Sequence, residues 1–217
     1  MIITPDISAA RHRDAARVLL IIDKAGKPPR AASTPDCVKV LEAEKRLQAL
    51  DFWVRYPDYL AHEFLNRYET GGKEDQRLLQ VASEIMDGPE PELRRLYMLR
   101  YLFGAFQVVD DALARLVSHG LVKRHRLLTP DGGKIRKTSY HLTEAGQRAA
   151  LGMAAQAPLN WYARRAELAA EIAGDDSGDK LKRRQYTVDA YGLQRWGRVI
   201  PPIDTEVRER LRRLEEA

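Results

Sequence analysis

Apolar residues in the first third of the chain recur at helical spacing, and proline and glycine mark where the runs stop. A helix is expected from Asp6, which can cap it, to about Ala25, with Gly26 placed to end it and Pro28-Pro29 blocking its continuation. Ser33-Thr34-Pro35 offers an N-cap and a first-turn proline for a second helix, in which Val38, Leu41, Leu47, Leu50 and Val54 repeat until Pro57. From Asp58 to Tyr68 a third helix places Leu60, Phe64 and Leu65 on one face, and Thr70-Gly71-Gly72 reads as a domain boundary.

A further amphipathic helix is expected from Asp75 to Met86. Pro91 then opens one carrying Leu93, Leu96, Tyr97, Leu99 and Leu102. Gly104 interrupts the pattern, Phe106 to His119 resumes it with Phe106, Val109, Leu113 and Leu116 on one face, and Gly120 ends it. The expected order is therefore helix, tight turn, helix. Leu121 to Leu128 and Lys134 to Leu142 follow as two strand-like runs around Thr129-Pro130-Asp131-Gly132-Gly133, the composition of a hairpin turn. Thr143 can cap a helix beginning Glu144-Ala145 and continuing past Met153. Beyond Pro158 three helices are expected: Trp161 to about Ala173, a short one opened by Ser177 and ending near Tyr186, and a charged one from Asp204 to the end. These breaks divide the chain into 1–72, 73–152 and 153–217. The first region is helical, with a degenerate copy of the central module as an alternative reading, and the last is helical.

Apolar residues make up 44% of the chain and charged residues 31%, a composition expected of a folded globular chain. Val18-Leu19-Leu20-Ile21-Ile22 is too short to span a bilayer, so no membrane contact is expected. A single cysteine, Cys37, permits no internal disulfide, and a reducing cytoplasm is the expected compartment. The net charge of +5 is modest, but its placement is uneven. Lys123, Arg124, Arg126, Lys134, Arg136 and Lys137 face only one acid in the same run, Asp131. That run carries as much positive charge as the whole chain has in excess.

Enzymatic chemistry has little to build on, and no catalytic residue, metal or cofactor is expected. No Gly-x-x-x-x-Gly-Lys-Ser/Thr loop is present to cradle a nucleotide's phosphates. In His62-Glu63-Phe64-Leu65-Asn66 the second histidine of a zinc-protease helix is replaced by Asn66, and one imidazole cannot hold the metal. No Gly-x-Ser-x-Gly elbow occurs, and Cys37, expected early in a helix, has no evident histidine beside it.

Leu113-Ala114-Arg115-Leu116-Val117-Ser118-His119-Gly120-Leu121-Val122, the basic hairpin, and the closing Tyr140-His141-Leu142-Thr143-Glu144-Ala145-Gly146 resemble the winged-helix proteins found among MarR- and PadR-type regulators. The resemblance covers about a third of the chain. It implies a fold that is mainly α with a small β-hairpin wing, a winged helix flanked by helical N- and C-terminal regions. Three further stretches resemble the small middle components of bacterial ABC-three-component systems, which include Lamassu-type antiphage defence. They are Leu50-Asp51-Phe52-Trp53-Val54-Arg55-Tyr56-Pro57 with Tyr59-Leu60, then Arg100-Tyr101-Leu102-Phe103-Gly104, and Ser177-Gly178-Asp179-Lys180-Leu181-Lys182 with Tyr186. That resemblance implies an accessory subunit beside an SMC-like or ABC-type ATPase; a dimeric winged-helix transcriptional regulator is the alternative.

With Leu113 and Leu116 facing a core, the opposite face of their helix shows Gln107, Asp110, Asp111, Ala114, Arg115 and Ser118. Two adjacent carboxylates would repel phosphates in a major groove, so this helix makes a poor base reader. The wing is the better candidate, because basic side chains on an extended hairpin can follow a DNA backbone without base contacts. Its nucleic-acid-binding residues are taken as Lys123, Arg124, Arg126, Lys134, Arg136 and Lys137, against the reading of a solvated edge that blocks aggregation. Lys180, Lys182, Arg183 and Arg184 form a second basic patch with the same two readings. The expected partners are DNA, held weakly and without sequence preference, a larger ATPase, and a second copy if the chain dimerises.

Overall fold

The structure is a computed structural model that describes residues 7–29, 36–71, 74–89, 98–101, 104–106 and 109–216. Among these it is mainly helical with two small antiparallel sheets. In chain order the elements are α1 (Ile7–Ala25), β1 (Cys37–Glu42), α2 (Glu44–Arg55), α3 (Pro57–Glu69), α4 (Arg77–Asp87), β2 (Leu99–Tyr101) and β3 (Gly104–Phe106). They continue as α5 (Asp110–Ser118), β4 (Val122–Leu128), β5 (Ile135–Thr143), α6 (Glu144–Ala154), α7 (Leu159–Ala173), α8 (Gly178–Tyr186), α9 (Asp189–Gly192) and α10 (Asp204–Glu215).

α1 is the central post. Val18, Leu19, Leu20, Ile21 and Ile22 are consecutive and all buried, as a helix surrounded on every side requires. It packs against α7, α5, α6 and α2. No helix among the described residues is long and apolar enough to cross a membrane. A buried ion network joins α1 to α2: the Arg17 Nε donates to Asp51 at 2.6 Å, and Arg55 reaches the other oxygen of Asp51 at 3.5 Å. Arg17 also donates to Asp14 at 2.6 Å. Burial alone would raise the Asp51 carboxyl, but the two guanidiniums outweigh it and hold the group below the usual carboxylate range.

α2 and α3 meet at Tyr56-Pro57, where proline occupies the first turn of α3 and cannot continue α2. The aromatic rings around this junction form one cluster. Phe52 stacks on Tyr56 at 4.6 Å between centroids and meets Tyr59 and Tyr191 edge-on at 4.9 and 5.1 Å. Their hydroxyls find backbone partners, since Tyr56 accepts from the Met98 amide at 2.9 Å and Tyr59 donates to the Pro201 carbonyl at 2.9 Å. α10 lies against α3 and α4.

Two expectations are corrected here. The residues from Cys37 to Glu42, placed in a helix on the strength of Ser33-Thr34-Pro35, form strand β1; the three supposed capping residues lie outside the described residues. Leu99 and Phe106, given to two successive helices, belong instead to the β2–β3 ladder, in which they are partners. Pro91, Leu93, Leu96, Tyr97 and Leu102 of the first of those helices lie outside the described residues, as do Asp6, Phe103 and Gln107. The physical reason is nonlocal. The Arg100 amide donates to Arg198 at 2.8 Å and the Ile200 amide to Met98 at 3.1 Å, so a segment from near the C-terminus pairs with Met98 to Tyr101 and holds it extended.

The larger sheet has the order β1-β5-β4, antiparallel throughout. A strand from the first sequence region thus closes the sheet of the second. α5 enters β4 through a tight helix end: the Leu121 amide donates to Leu116 at 2.9 Å, Gly120 donates to Val117 at 3.0 Å, and Gly120 takes a φ of 67°. Leu113 and Leu116 are buried beneath it, as the periodicity predicts. At the far end of β5 the Thr143 hydroxyl accepts from the Gly146 amide at 3.0 Å and donates to the Gly120 carbonyl at 2.8 Å. One side chain therefore caps α6 and ties it back to the end of α5.

Gly146 presses on the same joint, because a Cβ there would sit 2.1 Å from the Leu121 carbonyl oxygen. Gly146→Ala is expected to destabilise the chain by roughly 1–3 kcal/mol in a urea titration, although alanine is the better helix former. Asp51→Ala, which leaves two arginines without their buried counter-charge, is expected to cost about 3–5 kcal/mol in the same titration.

Candidate nucleic-acid interface

The hairpin of β4 and β5 is shaped by its turn. The Thr129 amide donates to the Lys134 carbonyl at 2.8 Å and the Gly132 amide to the Thr129 carbonyl at 2.8 Å, with Gly132 at a φ of 69°. Asp131, the acid in the basic run, is folded into this turn. Its carboxylate accepts from the Thr129 hydroxyl and from the Gly133 amide, and both hold it below its ordinary range. It is committed to the turn and does not neutralise a neighbouring cation.

Register sorts the basic side chains. Val122, Arg124 and Arg126 stand opposite Leu142, Tyr140 and Thr138. The apolar members of that set are buried, so the two arginines extend from the core-facing side past its rim. Lys123, His125 and Leu127 stand opposite His141, Ser139 and Lys137 on the outer side. Arg136 sits at the register shift near the tip.

These six cations are not equivalent. Arg124 is paired with Asp110 at 2.7 Å, joining the first turn of α5 to β4. Lys137 is paired with Glu42 of β1 at 2.9 Å. Lys123 is partly buried beside His141. Arg126, Lys134 and Arg136 are exposed, and their side chains have no carboxylate partner among the described residues.

The outer side of the sheet holds a cluster that sequence reading missed. Cys37 lies on β1, and its Sγ is 3.6 Å from the His141 Nδ1; the Ser139 hydroxyl is 3.0 Å from Nε2, and the His125 ring lies 4.2 Å away. Cys37 thus has a histidine beside it, against the expectation from sequence. Burial raises the thiol, whereas burial and then His125 lower His141. Both groups are consequently neutral near pH 7, so the thiol is not activated as a nucleophile. No group of three or more His, Cys, Asp or Glu among the described residues is arranged to hold a metal ion. In the His62 to Asn66 stretch the polar groups serve packing: Arg210 of α10 lies 3.1 Å from the His62 Nδ1 and donates to the Asn66 Oδ1 at 2.9 Å. Burial, then Arg210, pushes His62 down to about 4, leaving it neutral at pH 7.

The second basic patch divides in the same way. Arg184 pairs with Glu63, donates to Asp176 at 3.0 Å and lies over the Trp53 ring, so it is a strut between α8, α3 and α2. Lys180 pairs with Asp176 at 2.7 Å. Arg183 is exposed. Lys182 lies over the Tyr186 ring at 5.3 Å and faces the hairpin across a cleft of about 600 Å³. Arg126, Arg136 and Lys137 line one wall of that cleft, Lys45 and Gln48 of α2 a second, and Lys182 and Gln185 of α8 a third. The two basic stretches separated in sequence therefore converge. Lys45, which joins them from α2, carried no signal in the sequence beyond its charge.

No family model, curated protein or solved structure matches this chain.

The Asp110–Arg124 pair is exposed, so it contributes little to stability. Asp110→Ala is therefore expected to shift the melting temperature only marginally, while releasing Arg124 for phosphate. DNA affinity measured by fluorescence anisotropy should stay the same or rise; a loss confined to one DNA sequence would instead assign α5 a base-reading role.

Proposed function

We propose that this chain is a non-enzymatic winged-helix accessory subunit that holds DNA backbone along its hairpin and joins a larger SMC-like or ABC-type ATPase, in bacterial antiphage defence. The observation that carries the DNA part is the trio Arg126, Lys134 and Arg136, exposed on an extended hairpin with no carboxylate partner among the described residues. The sheet order β1-β5-β4, the helix α5 leading straight into β4, and α6 closing behind β5 support the winged-helix reading. α5 presents Asp110 and Asp111 outward, which favours backbone contact by the wing over groove reading by the helix.

The partner reading rests on the resemblance of the α2–α3 junction, the sequence Arg100-Tyr101-Leu102-Phe103-Gly104 and the start of α8 with Tyr186 to three-component middle subunits. Exposed apolar side chains support a protein contact as well: Leu193 is 79% and Trp196 65% exposed, and Val199 and Leu99, also exposed, lie beside one another across a β-bridge. A tryptophan this exposed is costly in solvent and is the residue type most enriched at binding hot spots. Any nucleotide hydrolysis then belongs to the partner, and the compartment follows as the cytoplasm.

Salt titration of DNA binding tests the reading. Each phosphate neutralised contributes about 0.9 to the slope of log affinity against log salt. Changing Arg126, Lys134 and Arg136 together to Ala is expected to lower the slope by roughly 2 to 3, equally on unrelated DNA sequences, with folding unchanged. An unchanged slope with an intact fold, both for the chain alone and with the ATPase bound, would leave the hairpin as a solvated edge.

A further inference from the structure

The cleft between the hairpin and α8 is more than a stretch of wing surface. Its lining holds five cations, Lys45, Arg126, Arg136, Lys137 and Lys182, against two carboxylates, Glu44 and Asp179. Asp179 pairs with Lys45 at 2.6 Å, and Lys137 has its carboxylate, Glu42, on the outer side of the sheet. Arg126 and Arg136 remain without a carboxylate among the described residues, and Lys182 opposes them. Glu44 is the lining's other carboxylate, so cations outnumber acids by five to two, and the like charges of Arg126, Arg136 and Lys182 facing one another are unfavourable until an anion sits between them.

Supporting this, Lys182 is lowered from its ordinary range by burial first and then by Lys45 and Arg100, with only Asp179 opposing. An anion at this position would reverse the effect of the neighbouring cations. The volume of about 600 Å³ is that of a small-molecule site, and Ala43, Ala49, Ala105 and Ile135 supply its apolar walls. Two arginine forks with Lys182 opposite them suit several closely spaced phosphate oxygens. What the lining does not offer is a ring for a base to stack on. Tyr191, the one aromatic among its described residues, is fully buried and engaged through its hydroxyl with the Ala105 amide.

We propose that this cleft binds the polyphosphate chain of a small phosphorylated ligand, such as a nucleoside triphosphate, recognising the number of phosphates and not the base. The site takes Arg126 and Arg136 from the wing, so its occupancy competes with DNA; this competition rests on the DNA-binding reading above, whereas polyphosphate binding does not.

Calorimetric titration of the full chain at low salt with inorganic tripolyphosphate, ATP, GTP and AMP provides the test. Tripolyphosphate, ATP and GTP are expected to bind within a few-fold of one another, and AMP at least about tenfold more weakly, since forgoing one charge-assisted hydrogen bond lowers affinity roughly tenfold. Lys182→Gln and, separately, Arg126→Ala should each weaken tripolyphosphate by about tenfold on the same basis. Arg148→Ala, which removes an exposed cation of α6 outside the cleft, should leave it unchanged. Circular dichroism confirms that each variant folds, and Arg126, on an exposed strand position, serves if the Lys182 variant does not. The proposal is overturned by an absence of saturable binding, by AMP binding as well as ATP, or by equal weakening in Arg148→Ala. Tripolyphosphate should also displace bound DNA. If DNA binds with its full salt slope while tripolyphosphate does not bind, the cleft proposal alone falls; if tripolyphosphate binds and DNA does not, the DNA reading falls and the cleft stands.

Discussion

A carboxylate with no access to water, Asp51, is the fixed point of this molecule. Placing it there is tolerable only because Arg17 of α1 and Arg55 one turn further along α2 close on its two oxygens. Hydrophobic contacts tolerate sliding by fractions of a turn, but a buried ion network has one geometry. It therefore sets how α1 lies along α2, and two of the cleft's three walls follow. α2 carries Lys45 and Gln48 on one side, while α1 supports α5, which in turn aims the hairpin. The surface chemistry of the hairpin depends on a charge placed at the centre of the core.

The parts of the fold that were legible in the sequence are those whose causes are local. The helix end at Gly120, the hairpin turn around Asp131-Gly132 and the cap at Thr143 each depend on residues within a few positions of one another. Their side-chain chemistry admits few alternatives. β1 was not legible, because six residues with no clean period-two alternation become a strand only when β5, about a hundred residues later, offers its edge. Met98 to Phe106 failed for a related reason. Its leucine spacing fits a helix, and the backbone partners that hold Met98 to Tyr101 extended lie at Arg198 and Ile200.

The candidate interface shows the same division more sharply. Sequence located the basic residues, but only structure distinguishes cations already committed to the fold from those available to a ligand. Arg183 and Arg184 are adjacent and chemically identical. Yet Arg184 is held by Glu63, Asp176 and the Trp53 ring, while Arg183 points to solvent. Arg124 and Arg126 differ in the same manner, because a helix turn of α5 places Asp110 within reach of the first alone. No periodicity or composition encodes that difference; it arises where elements distant in sequence meet.

The sheet is not equally wide along its length. β1 pairs with β5 only as far as Glu42 opposite Ser139, with one more bond from the Ala43 amide to Thr138, whereas β4 accompanies β5 out to Leu128 opposite Ile135. The hairpin is thus three strands thick at its root and two at its tip, like a beam clamped at one end. A narrow ladder bends before a broad one does, so a polymer pulling on Arg136 would concentrate bending at the line through Thr138 and Ala43. Ala43, with its left-handed φ of 71°, is the residue that joins β1 to the helix bearing Asp51. Load on the hairpin thus has a route through that joint to the ion network, beside those that run through α5 at the start of β4 and α6 at the end of β5.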